Sequence, residues 1–134
     1  MSRVAIVRGT DPPDMTVRAM EMVDAAMAIP ADKPVLIKPN YIDASHPSTG
    51  ITTDARVIEG VVAFLRKHDV KEIIIGEGTG MGDTLDAFKV RGGVDDVGRR
   101  WKVRMVDLNK DESVYSIGST NTSQATCRIS CDVN

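Results

Sequence analysis

No apolar run in this chain approaches the roughly 20 residues that a bilayer-spanning helix requires, so no membrane partner is expected. Charge of one sign is also lacking. Lys and Arg number 17 against 19 Asp and Glu, the formal net charge is -2 and the isoelectric point is about 5.6. Nucleic-acid binding wants a basic face, and this balance gives it no support. Cysteine is scarce: Cys127 and Cys131 are the only two, both in the final segment. Two thiolates are too few for zinc or an iron–sulfur cluster unless another chain contributes. Histidine is equally scarce. His46 has no second ligand at metal spacing and reads as a surface residue, and His68 reads as part of a helix end, so no metal site is expected. No Ser-His-Asp or Cys-His set can be assembled, and nothing identifies a cofactor. A secretory core is missing too. Met1-Ser2-Arg3 opens directly onto Val4–Val7, and Arg8 and Asp11 follow. The expected location is the cytoplasm, where the two cysteines stay reduced.

What is present is a globular composition. Hydrophobic residues make up 42% of 134 residues, enough for a core in a single domain over 1–134. Arg3 to Val7 has the composition of a strand. A turn-rich loop follows, Asp14 can cap a helix, and Val17, Met20, Val23 and Met27 form a helical stripe that Pro30 ends. Pro34 to Ile37 reads as a second strand. Thr52, Thr53 or Asp54 caps a second helix with Val57, Ile58, Val61, Val62 and Leu65 on one face. Glu72 to Gly76 is a third strand, and Asp83 or Thr84 caps a third helix carrying Leu85 and Phe88. Gly92-Gly93 stops it, Val94 and Val97 suit a short helical turn, and Lys102 to Asp107 is a fourth strand. Strict alternation implies parallel pairing, right-handed crossovers and helices on both faces. The tail, 116–134, is rich in Ser, Thr and Asn, and Thr126 to Val133 suits one more strand, on an edge.

Parallel strands would bring Arg8, Lys38, Asn40, Glu77, Thr79, Asp107 and Asn109 to one edge. Ligands of open α/β sheets bind at that edge. Pro39 cannot donate to a ladder, so the strand before it should stop near Lys38. Lys38 and Asn40 then project rigidly beyond the sheet. Lys38 could pair with a phosphate or carboxylate, polarise a carbonyl, or form a structural ion pair with Glu77. The loop Gly76-Glu77-Gly78-Thr79-Gly80-Met81-Gly82 joins a strand to a helix. Its alternating glycines allow two readings: amides that approach an anion, or a tight turn needing positive φ. It is not the dinucleotide fingerprint G-x-G-x-x-G, and no Walker lysine follows. Thr52-Thr53-Asp54 is first a helix cap, whose amides could also meet an anion.

These residues resemble a known family. Lys38-Pro39-Asn40, Thr52-Thr53-Asp54 opening a helix, Ile75-Gly76-Glu77-Gly78 before Thr84, and Val106-Asp107-Leu108 are similar in order and spacing to the domain-of-unknown-function family 362. The resemblance runs from about Val4 to Glu112. It implies a Rossmann-like three-layer α/β fold of prokaryotes, archaeal or bacterial, with a mostly parallel sheet of at least four strands. Some members carry a ferredoxin-type cluster domain. No four-cysteine run occurs here, so that role does not transfer, and the chain reads as a shortened member.

The expectation is therefore a small anionic ligand, a nucleotide or a phosphorylated or carboxylated metabolite, at the C-terminal edge of the sheet. Its binding residues are expected among Lys38, Asn40, Thr53, Asp54, Glu77, Gly78, Thr79, Gly80 and Thr84. If the domain catalyses a reaction, Lys38 and Glu77 are its best polar pair. The rival expectation is a non-catalytic assembly module that forms a homo-oligomer, because an open sheet edge must be covered.

Overall fold

Val35–Ile37 (β1), Ile73–Glu77 (β2) and Arg104–Asp107 (β3) pair into one parallel sheet in the order β1-β2-β3. The computed structural model describes residues 2–30, 32–89 and 93–110. Val35 lies opposite Ile73, Ile75 opposite Met105, and Glu77 opposite Asp107. All five residues of β2 are buried. That is why its apolar part is a continuous run rather than an alternation.

Helix α1 spans Pro12–Met22. Asp11, not Asp14, is its cap: the Asp11 carboxylate accepts from the Asp14 N–H, and Pro12 and Pro13 occupy a first turn that needs no amide donor. The helix also ends earlier than its stripe suggests. Asp24 adopts a left-handed conformation, φ 55°, and Ala25–Ala28 continues as a short 3-10 turn that leaves Met27 exposed. Helix α2, Ala55–Lys67, is capped by Asp54 as expected. It buries Ile58, Val62, Phe64 and Leu65, while Val57 stays partly exposed. Helix α3, Thr84–Ala87, is capped by Asp83. Helix α4, Val94–Trp101, is longer than the single turn expected there.

Every α-helix contributes to one apolar cluster. Val17 and Met20 of α1, Ile58 and Val62 of α2, Leu85 of α3 and Val94 and Val97 of α4 meet Val35, Ile37, Ile73, Ile75 and Met105. By strand alternation those five side chains share one face of the sheet. Helices on both faces, expected from the alternation, are not seen among the described residues. The strand order explains this. Right-handed crossovers that step from β1 to β2 to β3 in one direction put both connections on one face, although Ile74, which points the other way, is buried as well. Helix α1 joins the same layer by packing on α2. Gly60 makes that approach possible: a Cβ there would lie 2.6 Å from the Thr16 Cβ and 2.7 Å from the Pro13 carbonyl oxygen.

The expected first strand is not one. Residues 3–7 have no ladder partner among the described residues, and Val4 and Ile6 are each 87% exposed. The described residues thus hold three strands, not four or more, and Arg8 ends no sheet strand. The tail reading, with Thr126 to Val133 and both cysteines, lies outside the described residues. No described helix is long and apolar enough to cross a membrane.

Candidate functional site

Parallel pairing brings the three strand ends together. Lys38 follows the last residue of β1, Glu77 ends β2 and Asp107 ends β3. Glu77 is the centre of this edge. It is 4% exposed, and both carboxylate oxygens are engaged. The Lys38 ammonium straddles them, 2.7 Å from Oε1 and 2.9 Å from Oε2. Gly78 N–H donates to Oε1 at 2.8 Å, and Tyr41 N–H donates to Oε2 at 3.3 Å. The partners differ sharply in burial: the Lys38 side chain is 58% exposed and that of Glu77 only 5%. One ammonium therefore stands at the protein surface, fixed from behind by a buried carboxylate.

Asn40 is tied to the loop before α2. Its N–H donates to Thr53 Oγ1 at 2.9 Å, its carbonyl accepts from Thr53 N–H at 3.0 Å, and its side-chain amide donates to the Ile51 carbonyl at 2.8 Å. The Thr53 amide is thus occupied. Asp54 accepts from Arg56 N–H at 2.9 Å and pairs with the Arg56 guanidinium at 2.7 Å. That guanidinium holds the Asp54 carboxyl below its ordinary value and is itself raised by the carboxylate. Both residues brace the site rather than line an open anion cradle.

The glycine loop is knit to β3. Thr79 N–H donates to Thr84 Oγ1 at 3.1 Å, and Thr84 Oγ1 donates to Asp107 Oδ1 at 2.9 Å. Asn109 closes the network: its N–H reaches Asp107 Oδ1 at 3.0 Å and its side-chain amide reaches the Thr79 carbonyl at 2.8 Å. A Cβ at Gly78 would lie 2.6 Å from Asn109 Oδ1, so a side chain there would push the Asn109 amide out of its place. Gly82, φ 81°, supplies the turn. Met81 N–H donates to the Ile42 carbonyl at 3.2 Å. Among the described residues the Gly80 and Gly82 amides carry no hydrogen bond.

Two participants have no signal in the sequence. Tyr41 is 2% exposed, stacks edge-on against Phe88 with ring centroids 5.2 Å apart, and its hydroxyl has no partner among the described residues. Burial, with a smaller contribution from the Asp54 charge, pushes that hydroxyl up to about 12. Lys110 pairs with Asp83, which lowers the Asp83 carboxyl and raises the lysine, and it lies 3.4 Å from Asp107. His46 caps a 3-10 turn, Pro47–Thr49, through Nδ1, which accepts from Ser48 N–H at 3.2 Å. A groove of about 500 Å³ runs between the starts of α2 and α4, past His46, Asp54, Arg56, Glu59 and Arg100. Both arginines there already hold carboxylates: Arg56 pairs with Asp54, and Arg100 grips Glu59 at 2.7 and 3.0 Å. Of the expected site residues, only Asp54 lines this groove. No group of three or more described His, Cys, Asp or Glu residues could hold a metal ion.

The family model described as Domain of unknown function (DUF362) matches residues 35–131. The chain belongs to that family. No curated protein and no solved structure matches it. The DUF362 match begins at the first residue of β1 and contains every residue of the edge described above. The run from Val4 to Pro34, which carries α1, lies outside it, and the match continues beyond Glu112.

Proposed function

We propose that this DUF362 domain works in the cytoplasm and binds a small anionic ligand, a nucleotide or a phosphorylated or carboxylated metabolite, at the C-terminal edge of its sheet. Lys38 is the cation that meets it. One observation carries the reading: the Lys38 side chain is 58% exposed while that of Glu77, whose carboxylate fixes its ammonium, is 5% exposed. A lysine held only for a structural pair gains nothing from facing solvent, whereas a preorganised donor loses little freedom when a ligand arrives. Glu77, Gly78, Tyr41 and the Thr79–Thr84–Asp107–Asn109 network support that donor from behind. Asn40, Thr53 and Asp54 hold the neighbouring loop.

The test is titration of the wild type and Lys38→Met with inorganic phosphate, nucleotides and dicarboxylates, read by calorimetry. A charge-assisted contact contributes roughly 1.5–3 kcal/mol, so affinity should fall at least about tenfold in the variant. If no anion binds the wild type at millimolar concentration, the proposal is wrong.

A second reading is favoured by Val4 and Ile6, each 87% exposed in a run that pairs with no described strand. An exposed apolar edge invites a second chain. On this reading the domain is a non-catalytic assembly module. Light scattering at high protein concentration decides it: a monomer excludes the oligomer.

A further inference from the structure

Two exposed apolar residues lie on the segments whose amides bind the Glu77 carboxylate. Ile42 is 51% exposed and Met81 is 70% exposed. Ile42 follows Tyr41, whose N–H binds Glu77 Oε2, and Met81 belongs to the loop whose Gly78 N–H binds Oε1. The two segments touch: Met81 N–H donates to the Ile42 carbonyl at 3.2 Å, and a Cβ at Gly80 would lie 3.7 Å from the same oxygen. One fixed cation and a pair of apolar groups are therefore gathered around a single buried carboxylate. Scattered apolar side chains are ordinary on a surface, but these two are joined beside a charge.

The charges around them select among anions. Glu77 already neutralises Lys38, and Asp107, 7% exposed, lies opposite Glu77 in the sheet register. Asp107 has its own cation, Lys110 at 3.4 Å, so a phosphate dianion would bring two charges to the one ammonium that Glu77 already shares. A singly charged head meets half the repulsion from Glu77. A head held so weakly needs a second contribution, which apolar contact can supply.

We infer that the ligand class of the Lys38 site is a small monocarboxylate with an apolar body. Its head sits on the Lys38 ammonium and its body on Ile42 and Met81. This rests on the anion-binding reading above and narrows it.

The experiment titrates acetate, butyrate, hexanoate, octanoate and inorganic phosphate into the protein at fixed ionic strength. Binding is followed by amide chemical shifts in wild type, Lys38→Met and the double variant Ile42→Ser with Met81→Ser. Full burial of a methylene is worth about fourfold in affinity, so a shallow surface should give about twofold per added methylene. The double serine variant should lose the chain-length gain. Its substitutions fall on exposed positions, and a urea melt confirms that it folds. Lys38→Met should lose the whole series. Binding without any chain-length gain in wild type, or a gain that survives both serines, overturns the inference and leaves anion binding standing. Phosphate binding more tightly than hexanoate also overturns it. Absence of binding by carboxylates and phosphate alike overturns both readings.

Discussion

Lys38→Met keeps the aliphatic stem and removes the charge, and it should cost stability as well as ligand. The magnitude follows from the asymmetry of the pair. Exposed ion pairs contribute roughly 0.2–1 kcal/mol, whereas stranding a buried charge costs roughly 3–5 kcal/mol. Glu77 is buried, but Gly78 and Tyr41 amides remain to hold it, and the solvent-facing side of Lys38 screens what is lost. The expected cost is about 1–2 kcal/mol. Glu77→Gln should cost about as much for another reason: its amide group presents a donor to one of the two backbone N–H groups, which leaves that N–H unpaired. With both changes the stranded charge disappears, so the double variant should lose less than the sum by about 1 kcal/mol. Urea unfolding can be followed by Trp101, the only tryptophan, which is half-buried with its Nε1–H on Glu59. At a slope of about 2 kcal/mol per molar urea, the single variants should unfold about 0.5–1 M earlier. A Lys38→Met midpoint equal to wild type, or strict additivity in the double variant, would refute this account of Glu77.

Three further outcomes are expected. Gly60→Ala should destabilise by about 1–3 kcal/mol in the same urea assay, because its methyl would meet the Thr16 Cβ and the Pro13 carbonyl of α1 well inside contact distance. Asp54→Ala should cost about 1 kcal/mol through loss of the α2 cap. Because Arg56 lowers the Asp54 carboxyl in the folded state, that contribution is fully present above 3.8 and is lost as pH falls through the lowered folded value; acid titration of stability should be flatter in Asp54→Asn. Tyr41→Phe should be neutral or stabilising by up to about 1–3 kcal/mol, since the hydroxyl it removes has no partner among the described residues; a marked loss of melting temperature would show a hidden partner. The raised tyrosine makes stability fall as pH rises from 10.0 to about 12, and Tyr41→Phe should abolish that limb.

The sequence made the ends of elements more legible than their partners. Pro39 stops β1 because it lacks a donor, and Asp54 and Asp83 cap helices because their carboxylates reach the first free amides. Those are local facts, and they placed Lys38 and Glu77 on one edge. Arg3 to Val7 is rich in β-branched residues like Val35–Ile37, yet among the described residues only the second run has a neighbouring strand. Composition describes a strand's willingness to pair, not the presence of something to pair with. Alternation of strand and helix likewise did not fix the layers. It is the same for a sheet that grows in one direction and for one that reverses, and only the β1-β2-β3 order distinguishes them. Tyr41 and Lys110 act through residues far along the chain, so no local pattern could assign them a role.

The glycine loop shows why its two sequence readings were hard to separate. A run of alternating glycines presents amides that suit an anion, and the structure does put an anion on one of them. That anion is the carboxylate of Glu77, a residue of the loop itself, bound by the next residue's N–H and by Tyr41 from the other side. Thr84 takes the Thr79 amide and the Ile42 carbonyl takes that of Met81. A built-in carboxylate removes the nest as a phosphate cradle and converts it into a socket for Lys38. The positive charge at this edge then resides in the Lys38 and Lys110 ammonium groups, each already paired with carboxylate, more than in a ring of backbone amides. Recognition by a single shared ammonium is weakly selective for charge alone. If Lys38 meets an anion as proposed, selection comes from the surfaces around it at least as much as from Lys38 itself.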